Sequence, residues 1–406
     1  MITIYEPKME KTENQCMLSA KITYNDGEKT IWYRTAEEIG QYFDIGRADA
    51  FLVAVLPLAV LKGEDIQCQV PVSAQLLHSL RQFQIPFMCG LAKQNRLPRI
   101  IAQPDMQPLP SAGHIGTGIS CGVDCLSTVI QHGLLEEIEP YRIDTMCLFN
   151  TGYYGSDGGT ASQAFRGFIT MSEKFCKDFG YKLISVDSNV FELPVSFGMA
   201  VSFFTTSVVL ALQKYFSVYY FASAVTVFDF HPISSESESY DVLTMEHIST
   251  ENLHFFLGCA LFSRIEKVQL LTDHPQVFRY VYPCVDGNPP VNCGVCEKCR
   301  RTIMELDAIG KLDMASVAFD TTYYRKHKRL LWAYMLVHKN RRIDPARAPF
   351  YIEIYNEFKK RHVKAPFGAR LLVPYQYYRA KLRKPLRKKG RAVLNWLTVR
   401  MPGKDT

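Results

Sequence analysis

The sequence contains no run of eighteen uninterrupted apolar residues, the least expected of a membrane-spanning helix. Residues 50–61 are apolar but too few, and 199–230 are interrupted by Gln213, Lys214 and Asp229. The N-terminus, Met1 to Lys8, lacks the apolar core of a secretory signal. Without an export signal the twelve cysteines are expected as reduced thiols, which disfavours a disulfide framework and favours metal ligation where they cluster. Histidines at metal-ligand spacing are also lacking. His247 and His254 have no such partner, and His231 reads as a solvated loop residue. Acidic residues are missing from 379–400, where Lys or Arg occupies nine positions (379, 381, 383, 384, 387, 388, 389, 391 and 400). Removing those nine from the net charge of +7 leaves −2, so the basicity belongs to the tail and the body is near neutral.

The 406 residues, 47% hydrophobic and 21% charged, have the composition of a soluble globular protein and are too many for one ordinary core. Residues 1–112 mix short β-like runs (22–24 and 30–33) with the apolar helical patch at 50–61. They close on a Pro-rich stretch, 103–111, that reads as a linker. From 113 strands and helices alternate. A short helix runs over 124–131, a strand over 145–150, a helix over 160–179, a strand over 182–187, a helix near 202–216 and a strand over 218–223. This alternation predicts an α/β fold with a parallel sheet covered on both faces. Ligands of such sheets bind beyond the carboxyl ends of the strands. The residues there are Ser120 to Cys125, Asn150 to Gly152, Asp187 to Asn189, and Ser223.

Two patterns carry chemistry. The first is Cys284 followed by Cys293-Gly-Val-Cys296-Glu-Lys-Cys299, four thiols within sixteen residues at a spacing that suits one tetrahedral zinc ion. Four sulfur ligands leave no open position for a substrate, so the site reads as a structural staple. The second is Ser120-Cys-Gly-Val-Asp-Cys125, where a strand should pass into a helix. Small residues there let backbone N–H groups approach an anion, and Asp124 beside a phosphate calls for a cation, which makes magnesium-bound polyphosphate the natural ligand. An ordinary small-residue turn with Asp124 as a capping residue fits the same letters.

The loop resembles the S-G-G-x-D-S pyrophosphate loop of the PP-loop ATPase superfamily, the adenine-nucleotide alpha-hydrolase-like proteins. The segment 292–302 around the last three cysteines is similar to the C-terminal zinc motif of 7-cyano-7-deazaguanine synthases. It is closer still to relatives encoded among bacterial surface-polysaccharide genes, whose pattern Arg264-Ile-Glu-Lys267 also fits. The resemblance covers roughly 113–312. It implies a Rossmann-like, HUP-type parallel-sheet core over 113–265, flanked by an N-terminal α+β module (1–112) and a four-cysteine zinc element (266–312). A helical region (313–378) and the basic tail (379–406) complete the chain.

The activity implied is ATP-dependent. A substrate carboxylate or amide oxygen is adenylated with release of pyrophosphate, and a nitrogen or sulfur nucleophile then forms an amide, nitrile or thioamide. The substrate would be small or carbohydrate-linked. Nucleotide contacts would come from Ser120, Cys121, Gly122, Val123, Asp124 and Cys125, with Asn150, Thr151, Asp187 and Ser223 near adenine or ribose and Asp124 near Mg²⁺. Catalytic roles fall to Asp124 and Cys125. The departures are Cys121, in place of the family's first Gly, and Cys125, in place of its last Ser. A thiol at a helix start can act as a nucleophile or behave as a small hydrophobe. The same departures fit a non-catalytic nucleotide-binding scaffold, and an RNA-modifying PP-loop enzyme is a third reading. The tail mixes its cations with Leu382, Leu386, Val393, Leu394 and Trp396, a composition suited to an anionic membrane surface, to RNA, or to a solubilising extension. The expected location is the cytoplasm, peripheral to a membrane if the tail engages one, and a homo-oligomer is compatible with the sequence.

Overall fold

The fold is described from a computed structural model, which covers residues 1–154 and 163–381 and the backbone of 156–157 and 160–161. Most of the basic tail, 382–406, with its interspersed Leu, Val and Trp396, lies outside the described residues. Contacts divide the chain into two units, Met1–Asn292 and Cys293–Thr406.

In chain order the strands are β1 Ile2–Ile4, β2 Lys8–Lys11, β3 Gln15–Tyr24, β4 Gly27–Ala36, β5 Ile66–Cys68, β6 Val72–Ser73, β7 Ile100–Ile101 and β8 Pro104–Asp105. They continue with β9 His114–Gly118, β10 Thr145–Asn150, β11 Ser156–Asp157, β12 Thr160–Ala161, β13 Lys182–Ser188, β14 Phe216–Ala222 and β15 His254–Gly258. Eleven of them form one mixed sheet in the order β15-β14-β9-β10-β13-β4-β3-β1-β5-β7, with β2 paired to β3. The five strands β9, β10, β13, β14 and β15 are mutually parallel. Counted along the chain their spatial order is 3-2-1-4-5, so the direction of winding reverses between β9 and β14. A crevice opens beyond the strand ends at such a reversal.

The alternation seen in the sequence is present here. β10 and β13 fall on the expected strands, and helix Gln163–Phe179 turns Phe165, Phe168, Phe175 and Cys176 inward. The helix expected near 202–216 begins earlier, at Phe197, and ends at Ala211. All six residues of β10 are buried. Cys147 and Phe149 join the core cluster that contains helices Asp49–Lys62 and Phe197–Ala211. Met146 and Leu148 alternate to the opposite face and are buried as well. A strand buried on both faces is apolar throughout rather than alternating.

Apart from Val72–Ser73, which pairs with β8 in a two-stranded sheet, the strands within 1–101 belong to the main sheet. The hairpin β3–β4 pairs β4 antiparallel to β13, through Arg34 opposite Asp187 and Tyr33 opposite Ser188, and so prolongs the parallel core. Helix Asp49–Lys62 has twelve consecutive buried residues, which makes it a core helix without a polar face. It packs against helix Phe197–Ala211. Replacing a fully buried ring there, Phe51 or Phe203, with Ala removes about 3–5 kcal/mol of stability. The Pro-rich stretch is anchored to this body. Pro104–Asp105 pairs with Val72–Ser73, Arg47 Nε donates to Asp105 Oδ2 at 2.9 Å, and Asn252 Oδ1 accepts the Leu109 N–H at 2.6 Å.

The second unit is helical. It holds Glu297–Ala308, Thr322–His338 and Ala348–Lys360, the first two joined through a 3₁₀ turn, Leu312–Val317. Among the described residues no helix is long and apolar enough to cross a membrane.

Candidate functional site

The first strand of the parallel set, β9, ends at Gly118, one step before the reversal point. Ile119 keeps the sheet pairing through its N–H to Cys147 O at 2.8 Å, and the chain then turns sharply. The turn sits on Cys121, whose φ of +55° lies in the left-handed region that favours glycine. Its thiol is buried, and its carbonyl accepts the Tyr282 N–H at 2.6 Å. The resembled loop carries Gly at this position, and the positive φ gives the physical reason. Gly122 then caps helix Val123–Val129, with Leu126 N–H donating to Gly122 O at 3.0 Å. The N–H groups of Val123, Asp124 and Cys125 belong to a first helical turn, which has no preceding carbonyl of its own helix to bond. Ser120 is exposed, and Gly122 and Asp124 are partly so; Cys121, Val123 and Cys125 face inward.

Asp124 does not stand alone. Arg264 Nη1 donates to Asp124 Oδ2 at 2.7 Å, and Lys267 Nζ lies 3.4 Å from Oδ1. Lys267 Nζ also donates to the carbonyl of Ser223, at the end of β14. The cations are nearly enclosed, with side chains 5% and 1% exposed, whereas Asp124 keeps 30% of its surface open. Their helix, Arg264–Asp273, starts at a capping box. Ser263 Oγ accepts the Glu266 N–H at 3.2 Å, and Glu266 Oε2 accepts the Ser263 N–H at 2.7 Å. The i, i+3 spacing of Arg264 and Lys267 then puts both on one face of that helix. The two cations escaped the sequence reading as site residues; the signal was that spacing behind a Ser-x-x-Glu box.

Burial pushes the Cys125 thiol up to about 11, despite hydrogen bonding to Ser120 and to the Gly122 backbone, and pushes Cys121 well above its usual range. Cys125 Sγ lies 3.3 Å from Gly122 O and 3.7 Å from Ser120 Oγ. Both groups are protonated at neutral pH, the state of a small packing residue rather than of a thiolate nucleophile.

The neighbouring strand ends supply a second group. Asn150 Nδ2 donates to Asp187 Oδ1 at 2.8 Å, and Ser188 Oγ donates to the Asn150 carbonyl at 2.7 Å. Arg34, from the antiparallel strand β4, reaches Asp187 Oδ2 at 2.9 Å, a partner that no local pattern announced. Thr151 is buried next to Asn150. The structure thus joins Asp124 with Ser223 through Lys267, and Asn150 with Asp187 directly. Both groups belong to the carboxyl ends of adjacent strands in the order β14-β9-β10-β13.

The four cysteines form a second centre. The sulfurs of Cys284, Cys293, Cys296 and Cys299 all lie within 4.8 Å of one another, with Cys293 and Cys299 4.0 Å apart. A metal bound at about 2.3 Å by four tetrahedral thiolates sets its ligands about 3.8 Å apart, so the cage is of the right size. Backbone N–H groups point at three of the sulfurs. Gly287 N is 3.0 Å from Cys284 Sγ, Cys296 N is 3.2 Å from Cys293 Sγ, and Cys299 N is 3.4 Å from Cys296 Sγ. Donors aimed at sulfur favour the charged thiolate that a metal requires. Gly294, at φ +68°, makes the knuckle turn, and a Cβ there would meet the Asp320 carbonyl at 2.5 Å. The cluster can hold a metal ion and, having four protein ligands, is closed to substrate.

His231 is exposed, with Nδ1 3.0 Å from Asp229 Oδ1. His247 stacks on Phe83 and pairs with Gln84 Oε1 at 2.8 Å, and His254 sits 3.7 Å from Glu246. Each is accounted for by packing or a surface contact. No family model, curated protein or solved structure matches the chain. The functional reading therefore rests on the residues themselves.

Proposed function

We propose that this chain is an ATP-dependent enzyme of the PP-loop type, with a Rossmann-like, HUP-type core and a structural zinc ion on Cys284, Cys293, Cys296 and Cys299. The observation that carries the reading is the position of Ser120–Cys125. This small-residue loop, with an exposed hydroxyl at the start of helix Val123–Val129, lies at the point where the parallel sheet reverses its winding. Anions bind at such places because N–H groups and the helix start converge there.

In this reading Ser120 and the N–H groups of Gly122 and Val123 receive the β- and γ-phosphates of ATP. Asp124 is the carboxylate available to Mg²⁺, which supplies neutralisation of the polyphosphate charge. Arg264 and Lys267 hold Asp124 in the ligand-free state and offer their charge to the pyrophosphate as it leaves. Asn150, Thr151 and Asp187, one strand further along, border the nucleoside. The reaction forms a bond between a substrate oxygen and the α-phosphorus and breaks the α–β phosphoanhydride, whose electron pair departs with pyrophosphate. A nitrogen or sulfur nucleophile then displaces AMP. Catalysis rests on positioning and charge, and the protonated Cys125 lines the loop without attacking.

One observation favours a second reading, that of a nucleotide-binding scaffold without turnover. Asp124 is engaged by two cations, and the loop carries two buried thiols where its counterparts carry Gly and Ser. Incubation with ATP labelled at the α- and γ-phosphates, over panels of carboxylate and amide substrates, separates the two. The enzyme reading expects AMP and pyrophosphate in equal amounts, and bound ATP that stays intact throughout refutes it.

A further inference from the structure

The helical unit carries a surface that the nucleotide reading leaves unused. Trp332, Leu336, Phe358 and Val363 line an apolar cavity of about 670 Å³, which Lys359, Lys364 and Arg370 also border. The chain turns beside it at Gly368, whose φ is +77°. Ala369 is buried, but Phe367 and Leu371 stand in solvent at 90% and 81% exposure. Tyr375 and Tyr378 follow, both exposed. Large apolar side chains grouped on a surface mark a place of interaction. The surrounding sequence says with what. From Phe358 to Lys404 there are fifteen Lys or Arg residues and no Asp or Glu.

An apolar tip, flanking tyrosines and a dense field of cations form the composition of a segment that lies at a bilayer interface. Charge of a single sign opposes covering this face with a second copy of the chain. RNA would satisfy the cations and finds stacking faces in Phe367, Tyr375 and Tyr378, but it offers no apolar surface to cover Leu371 or to fill the cavity, which a bilayer does. We propose that this face docks the protein on a bilayer containing anionic phospholipid. Phe367 and Leu371 enter the acyl region, the cavity accepts an acyl chain, and Lys364 and Arg370 lie against lipid phosphate. The inference does not depend on the reading of the loop at Ser120–Cys125.

The test is co-sedimentation of the full chain with vesicles of phosphatidylcholine containing phosphatidylglycerol, beside vesicles of phosphatidylcholine alone. The expected result is binding to the anionic vesicles that falls with added salt. The double variant F367E/L371E should bind about a hundredfold more weakly, since burying each large apolar side chain is worth about tenfold or more. Both positions are exposed, so unchanged urea unfolding of the variant confirms that the fold is intact. The variant K364Q/R370Q should retain binding to neutral lipid and lose about fivefold per charge on anionic vesicles. Absence of binding to anionic vesicles, parental binding by F367E/L371E, or capture of transfer RNA in place of vesicles would each overturn the proposal.

Discussion

Replacing Lys267 with Met isolates the clamp that joins Asp124 to the end of β14. Lys267 is 1% exposed, and its ammonium group has two acceptors, the Ser223 carbonyl and Asp124 Oδ1. Met fills most of the same volume without a donor. The Ser223 carbonyl loses a charge-assisted partner, which costs about 1–3 kcal/mol when the group stays out of water. Asp124 keeps Arg264 at 2.7 Å and part of its hydration, so its own loss is about 1 kcal/mol or less. Desolvation of the ammonium, no longer required, returns part of this. The balance is a destabilisation of about 2 kcal/mol, read as a shift in the urea midpoint at neutral pH with an unchanged slope. A double-mutant cycle with Asp124→Asn should show a coupling of about 1 kcal/mol, because the two groups share the contact. A Lys267→Met protein within about 0.5 kcal/mol of the parent, or a coupling near zero, would refute the clamp.

Cys125 should resist iodoacetamide in the native protein at pH 7.5, since its thiol is buried and titrates at about 11; peptide mapping that finds it among the first cysteines modified contradicts its packing role. Metal analysis of the purified chain should return zinc at one ion per chain; Cys299→Ser should lose most of it, and Gly294→Ala should weaken the same segment by about 2 kcal/mol or more, through its positive φ and the Asp320 carbonyl its Cβ would meet. Asp49 supplies a pH test. Burial raises its carboxyl to about 6, while Gln213, the Ser73 N–H and Arg47 favour the ionised form and Asp44 opposes it. A raised folded-state pKa means that the stability contribution is full below about pH 4 and is lost as pH rises through 6, by up to about 3 kcal/mol. Asp49→Asn should therefore flatten the urea-unfolding profile between pH 4 and 7, and a slope equal to the parent's would place the titrating group elsewhere.

Features written in local spacing were legible before the fold was known. The C-x8-C-x2-C-x2-C run needs sixteen consecutive residues and a Gly able to make the knuckle, and the strands at 145–150 and 182–187 are short β-rich runs bounded by turns. The candidate loop could be placed because the strand–helix alternation fixes which ends of the strands point together. What escaped depends on contacts far apart in sequence. Arg264 and Lys267 lie 140 and 143 residues from Asp124, so no window contains both sides of the clamp. The continuation of the sheet through β4 depends on Arg34 meeting Asp187, a pairing 153 residues long, and β4 by itself reads as an ordinary hairpin strand. Helix Asp49–Lys62 has no polar face, so periodicity marks its existence but cannot say that it packs against helix Phe197–Ala211 at the centre of the core. The state of Cys121 and Cys125 was likewise hidden, because helix-start position lowers a thiol's pKa whereas burial, set by the fold, raises it.

The central claim is that the loop Ser120–Cys125 receives magnesium-bound ATP. Isothermal titration of the full chain with ATP, in the presence and absence of Mg²⁺, addresses it directly. The account predicts saturable binding of one nucleotide that requires Mg²⁺ and weakens by about tenfold or more in Asp124→Asn, as expected on losing a charged ligand at a phosphate site. An absence of binding at millimolar ATP, or Asp124→Asn binding with parental affinity and magnesium dependence, would contradict it.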